Sequence, residues 1–278
     1  MRIIVYLQLI SIFFFTNCAS AQLLNNEKVE IVNLKDSIVT HDYDCFFSLP
    51  KILDKNKDKE RKMSVAMAES VYHTPLFYCS IDHSSCKESI TLEELITKER
   101  KCVNNRKEND GIYEVNSSSE MIFNKLGFVS WYILIHAWHS NGVNPYHFPI
   151  CFDTQKADIF NTYDIFKDSL KLQLLSKIEL EILESVMDEM ESEENNYSAQ
   201  TIIRGGVIES NRSYFPLRKI PNGYFSTRNG NDGISFYIRS SFPTYYAKVE
   251  GDFYTVFMPL TELEPFFKDS FKKRIGLQ

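Results

Sequence analysis

The stretch from Met121 to His139 constrains the fold more than any other, because almost nothing in it suits water. Ile122, Phe123, Leu126, Phe128, Val129, Trp131, Tyr132, Ile133, Leu134, Ile135 and Trp138 are interrupted by few polar residues, chiefly Asn124, Lys125, Ser130 and two histidines. A helix that is apolar on every face has to be buried. As a helix, the stretch takes its N-cap from Ser117 to Ser119 and favourable charge from Glu120, and it stops at Asn141-Gly142, where both residues tolerate positive φ. Its polar interruptions make it a poor membrane span. The expectation is a buried helix at the centre of a water-exposed domain.

A second helical stretch is expected from about Lys156 to Glu194, broken near Lys167-Asp168-Ser169. Leu175, Ile178, Ile182, Leu183, Val186, Met187 and Met190 recur at spacings of three and four, an apolar stripe opposite an acidic face. Val29–Val32 and Asp36–Thr40 read as short strands, Thr91–Arg100 as a short helix, and Met63–Tyr72 as a helix stopping before Pro75. Lys51–Lys62 holds six basic and three acidic residues and reads as a surface loop.

From Gln200 onward, short aromatic and β-branched runs alternate with turn signals at Gly205-Gly206, Pro221-Asn222-Gly223, Asn229–Gly233 and Glu250-Gly251-Asp252. That is the pattern of an antiparallel meander. Thr261-Glu262-Leu263-Glu264 reads as a capping box opening a last helix, with Lys272, Lys273 and Arg274 where the dipole favours cations. The fold class is therefore α+β: a loop-rich, cysteine-containing N-terminal part, a central buried helix plus a long amphipathic helix, and a C-terminal antiparallel β-meander with a terminal helix. The expected organisation is a leader over residues 1–21 and one domain over 22–278, comprising an irregular part (22–110), a helical part (111–197) and the meander with its helix (198–278).

The leader is read from Arg2, an apolar run Ile3–Phe15 and the small residues Ala19 and Ala21, the three parts of a secretory signal peptide. The run is shorter than the roughly 20 residues a membrane-crossing helix needs, so no transmembrane span is expected in the mature chain. Cleavage after Ala21 leaves Gln22 first. Phe15-Thr16-Asn17-Cys18 also resembles the lipobox of bacterial lipoproteins, departing from it with Phe in place of Leu and Asn in place of a smaller residue. That resemblance implies lipidation of Cys18 as the alternative fate. Both routes lead across a membrane, to the periplasm, the cell envelope or the medium.

Loss of Arg2 leaves 30 Lys and Arg against 37 Asp and Glu, which argues against nucleic acid as partner. Five cysteines remain after the leader. In an oxidising compartment Cys45, Cys79, Cys86 and Cys102 are disulfide candidates, leaving Cys151 unpaired and buried.

Sites with chemistry are sparse. His136, His139 and His147 offer three imidazoles for a hydrolytic zinc ion, but no glutamate sits between histidines at i and i+4 as zinc peptidases require. Cys79, His83, Cys86 and Cys102 have zinc-ligand types, yet export favours disulfides over metal there. No Gly-x-Ser-x-Gly elbow, Walker loop or Gly-x-Gly-x-x-Gly occurs in the sequence, and no cofactor is expected. The meander interleaves Arg204, Arg212, Arg218, Arg228 and Arg239 with Tyr224, Tyr237 and Tyr245, residue types that dominate binding hot spots. The leading expectation is thus a non-enzymatic exported envelope protein that binds a protein or a glycan through this sheet. The alternative is a secreted metal-dependent hydrolase using the three histidines.

Overall fold

A computed structural model of the chain describes residues 29–41, 43–72, 74–77, 89–105, 112–139, 142–192, 219–239 and 253–277. In chain order its strands are β1 (Glu30–Val39), β2 (Asp44–Leu53), β3 (Ile112–Lys125), β4 (Phe128–His139), β5 (Gly142–Asp153), β6 (Asp158–Ile159), β7 (Gly223–Arg228), β8 (Asn231–Arg239) and β9 (Phe253–Pro259). The helices are α1 (Lys57–Val71), α2 (Leu92–Asn105), α3 (Lys171–Ser192), α4 (Leu260–Leu263) and α5 (Asp269–Ile275). Mixed helix and sheet make the protein α+β.

The central stretch is not a helix. It belongs to the β3–β4 hairpin, which turns at Leu126-Gly127 with φ of 59° and 77°. Two successive positive φ values mark the mirror-image turn that suits the twist of paired strands. Its β-branched and aromatic side chains favour a strand: Trp131, Ile133, Ile135 and Ala137 are buried and Tyr132, Leu134 and Trp138 between them are half-buried, so both faces are apolar and the sequence shows no alternation. Ser117, read as a cap, instead ties strands together: its hydroxyl accepts the Ser48 amide at 2.9 Å.

Six strands form one sheet in the order β1 to β6, antiparallel throughout except for the parallel β2–β3 pair. Parallel neighbours need a crossover, and α1 and α2 supply it. Both helices cover one face of this sheet, where Trp131, Ile133, Ile135 and Ala137 of β4 meet Met63, Met67, Leu92 and Leu95. Asn56 caps α1 by accepting the Asp58 and Lys59 amides, so the helix starts inside the charged stretch Lys51–Lys62 that reads as a loop. Thr91 and Glu94 cap α2 reciprocally, the Thr91 amide donating to the Glu94 carboxylate at 2.7 Å.

A second sheet, β7-β8-β9, packs with α3 and the C-terminal helices against the opposite face at the end carrying Phe123, Phe128 and Cys151. Phe128 and Phe225 stack there with centroids 4.2 Å apart. The turn between β7 and β8 is Asn229-Gly230, as its residue types predict. The helix expected from Lys156 is shorter: β6 and two 3-10 turns precede α3, which starts at Lys171. Pro265 likewise divides the expected last helix into α4, a 3-10 turn and α5. The aromatic and β-branched runs at 201–204, 213–215 and 245–249, which the meander pattern makes strands, lie outside the described residues, as do the leader and Cys18. Among the described residues, no helix is long and apolar enough to cross a membrane.

A buried ion pair joins the two layers. Arg274 of α5 donates twice to Asp153 at the end of β5, both at 2.6 Å, and lies 4.4 Å over the Phe128 ring. The Asp153 side chain is 3% exposed. Removing one member of a buried pair strands the other charge, at a cost of about 3–5 kcal/mol. We predict that Arg274→Met lowers unfolding free energy by about that amount in urea titrations, and that Arg274→Met combined with Asp153→Asn recovers a large part of it. Equal loss in the single and double variants would show that the pair is not the source.

Candidate functional site

Beyond the reach of the second sheet, β5 becomes the outer strand, since β6 pairs with only Phe152 and Asp153. The Cys151 carbonyl accepts the Phe160 amide at 2.8 Å, so Cys151 turns its backbone groups away from β4. Pairing with β4 is unbroken from Asp153 to Gly142, and backbone direction alternates along a strand. Residues 149, 147, 145 and 143 therefore face outward too. Two of them, Pro145 and Pro149, have no amide proton to offer. This edge is blunted against pairing with another strand.

Between that edge and the second sheet opens a cleft of about 1080 Å³. Phe148, Pro149 and Ile150 of β5 and Ile159 of β6 form one wall; Ile220, Tyr224 and Tyr237 form the other. Gly223 brings the walls together at one end, because an added Cβ there would lie 2.8 Å from Ile234 and 2.9 Å from Thr162. The Thr162 hydroxyl donates to the Pro221 carbonyl at 3.0 Å across the same junction. Polar side chains line the rim: Lys156, Asp158, Asn161, Asp164, Lys219 and Asn222.

Electrostatically the rim is balanced, with two lysines against two aspartates and Lys156 lying 3.7 Å from Asp164. Tyr224 and Tyr237 stand with ring centroids 6.1 Å apart. Burial raises the pKa of both phenols, opposed at Tyr224 by a hydrogen bond with Ser235 and at Tyr237 by one with Asn222. Tyr163 is 47% exposed, and the Lys171 ammonium sits 3.3 Å from its ring centroid. An ammonium over an aromatic face is attracted by the ring quadrupole and holds the ring in place.

Of the residues expected to form an aromatic and arginine-rich face, Tyr224 and Tyr237 converge on this cleft rather than on a flat exposed surface. Arg228 is exposed at the far end of β7, about 13 Å along the strand from Tyr224. Arg239 ends β8. Arg204, Arg212, Arg218 and Tyr245 lie outside the described residues. The rim residues between 156 and 164 escape a reading that makes this segment helical. The signal for them was there in Asp153, Thr154, Asp158 and Asn161, all turn formers, and Asn161 does accept the Tyr163 amide at 3.0 Å.

His136 and His147 are diagonal neighbours on β4 and β5, with ring centroids 6.5 Å apart. His139 pairs with Gly142 three positions further along. Among the described residues no three His, Cys, Asp or Glu side chains gather as a metal centre would require.

The cysteines divide. Cys45, a disulfide candidate by sequence, is a free buried thiol: it projects from β2 into the helix-covered core, and its Sγ lies 3.9 Å from the Leu76 carbonyl. Cys151 is free and buried as well. Cys102 on α2 is not free, and Cys79 and Cys86 lie outside the described residues. Desolvation pushes the pKa of Cys45 and of Cys151 from 9.0 to about 12, so neither is a thiolate nucleophile near neutrality.

No protein-family model matches the chain, and no curated protein matches its sequence. Its fold is similar to that of two solved structures. A member of the DUF3298 family from Bacteroides fragilis aligns at a TM-score of 0.54 with 10% identity, covering 91% of this chain and 99% of that one. A DUF3298 family protein from Pseudomonas aeruginosa aligns at 0.53 with 9% identity, covering 88% and 97%. At such identity the likeness is one of fold.

Because the folded state favours protonated thiols, their contribution to stability is complete below pH 9 and is lost as pH rises toward 12. We predict that Cys45 and Cys151 resist iodoacetamide at pH 8 until the chain is unfolded. In addition, Cys45→Ala with Cys151→Ala should flatten the decline of stability between pH 9 and 12. Rapid labelling of either thiol in the folded protein would contradict their burial.

Proposed function

We propose that this is an exported cell-envelope protein that acts by binding rather than by catalysis, and that it takes its ligand, a protein or a glycan, in the cleft between β5 and the second sheet. The observation that carries the reading is the cleft itself: apolar and tyrosine walls under a rim of fixed polar groups, the general make-up of a recognition site. Burial holds Cys45 and Cys151 protonated at neutral pH, which removes these two as thiolate nucleophiles. The leader read from residues 1–21 supports export, with release after Ala21 or a lipid anchor at Cys18 as its two outcomes. With Cys45 free, a disulfide formed on export has to draw on Cys79, Cys86 and Cys102.

Two measurements test this reading. Mass analysis of the protein from its native host should find a chain starting at Gln22, or a lipidated Cys18, and a disulfide within residues 79–102; intact Met1 in a cytosolic fraction would refute export. Immobilised wild-type protein should retain an envelope component that Tyr163→Ala and Lys219→Glu, both changes at exposed rim positions, lose to a large degree. Identical retention by wild type and variants would remove the cleft as the binding site.

A further inference from the structure

The cleft points to a particular ligand chemistry, an inference that rests on the binding role proposed above: we infer that it receives a neutral glycan chain. Three features separate that ligand from the alternatives. The first is charge. Lys156 and Lys219 are matched by Asp158 and Asp164, and Lys156 lies 3.7 Å from Asp164, so the charged side chains that line the cleft sum to zero and favour neither an anionic polymer nor a strongly charged peptide.

The second is the strand edge that forms one wall. An extended peptide binds such an edge through main-chain hydrogen bonds, taking amide protons and carbonyls in turn. Here Pro149 stands at the outward-facing position within the wall, and Pro145 at another further along the same edge, so strand addition over residues 143–149 would lose half of its donors. A peptide gains little from β5. A ligand that binds through side chains loses nothing.

The third is what those side chains are. Tyr163, by the face that Lys171 leaves open, and half-buried Tyr237 bring ring surface for the C–H faces of sugar rings, with buried Tyr224 beside Tyr237, while Asn161, Asn222, Asp158 and Asp164 supply donors and acceptors for hydroxyl groups. Asn161 already spends its side-chain oxygen on the Tyr163 amide, which fixes its amide nitrogen as a donor. Sugars combine apolar ring faces with dense hydroxyls, and this wall-and-rim division matches both.

The test is titration calorimetry of the mature chain with three neutral oligosaccharides, maltohexaose, cellohexaose and chitohexaose, beside polygalacturonate and an uncharged extended decapeptide. The inference predicts saturable binding of at least one neutral oligosaccharide with a Kd of about 1 mM or tighter. Tyr163→Ala should weaken it about tenfold, and Tyr237→Phe, which keeps the ring, should bind within about threefold of wild type. Variants are compared only after their thermal midpoints are shown to match wild type. Failure of all three neutral sugars to bind, preference for polygalacturonate or the decapeptide, or indifference of sugar binding to Tyr163→Ala would overturn the inference. If it falls while an envelope protein is still retained in a cleft-dependent way, the binding role stands and the ligand is a protein; if retention is also indifferent to the cleft variants, both fall.

Discussion

The bidentate contact between Arg274 and Asp153 sets the relation of the two layers on which everything else in the structure depends. Asp153 also accepts the Gln155 and Lys156 amides at 3.1 Å, so one buried carboxylate closes the turn into β6 and holds the last helix at once. Beneath it Phe128 stacks on Phe225, fixing the spacing of the second sheet from the first. A second polar tie, from Lys125 to Asp232 at 2.7 Å, secures the β7–β8 turn to the end of β3. The cleft lined by β5 and Tyr237 lies between the two sheets that these contacts join.

How far this could be read in the sequence varies with the kind of signal. Capping and turn residues act locally and were legible: Thr91 with Glu94 opens α2, and Asn229-Gly230 makes the β7–β8 turn. The α+β class followed from such signals together with the aromatic and β-branched runs after residue 200. The stretch from Met121 to His139 misled because its half-exposed face, with Tyr132, Leu134 and Trp138, is as apolar as its buried face, with Trp131, Ile133 and Ile135, which hides the alternation that separates strand from helix. Gly127 was the one clue, and the turn hid behind Leu126, a residue that rarely adopts positive φ. Lys51–Lys62 misled in the opposite direction. Lys51–Leu53 finish β2, and the charges from Lys57 to Lys62 open a helix whose buried side, Met63, Met67 and Val71, begins only where the charged stretch ends.

Site residues were harder still, since a site is an encounter between segments distant in sequence. Tyr224 and Tyr237 were singled out for their residue type, and the fold gives them a wall to face. The opposite wall, from Phe148 to Asp164, carried no motif, because lining a cleft demands only exposure and suitable shape. The arginines that seemed to complete the pattern were grouped by composition, and Arg228 at its hairpin tip shows how little that grouping says about place.

The two prolines of β5 show how a protective device also shapes recognition. An outer strand is a hazard, since it can recruit any extended chain, and proline at outward positions removes that hazard without costing the bonds to β4. Once the edge cannot pair, whatever binds beside it must be recognised by side chains on both walls. Selectivity then depends on ring surfaces and on the spacing of rim groups, which the junction at Gly223 and Thr162 and the pinned end at Asp153 hold fixed. The same backbone chemistry that protects the outer sheet edge thus narrows the ligands this cleft can accept.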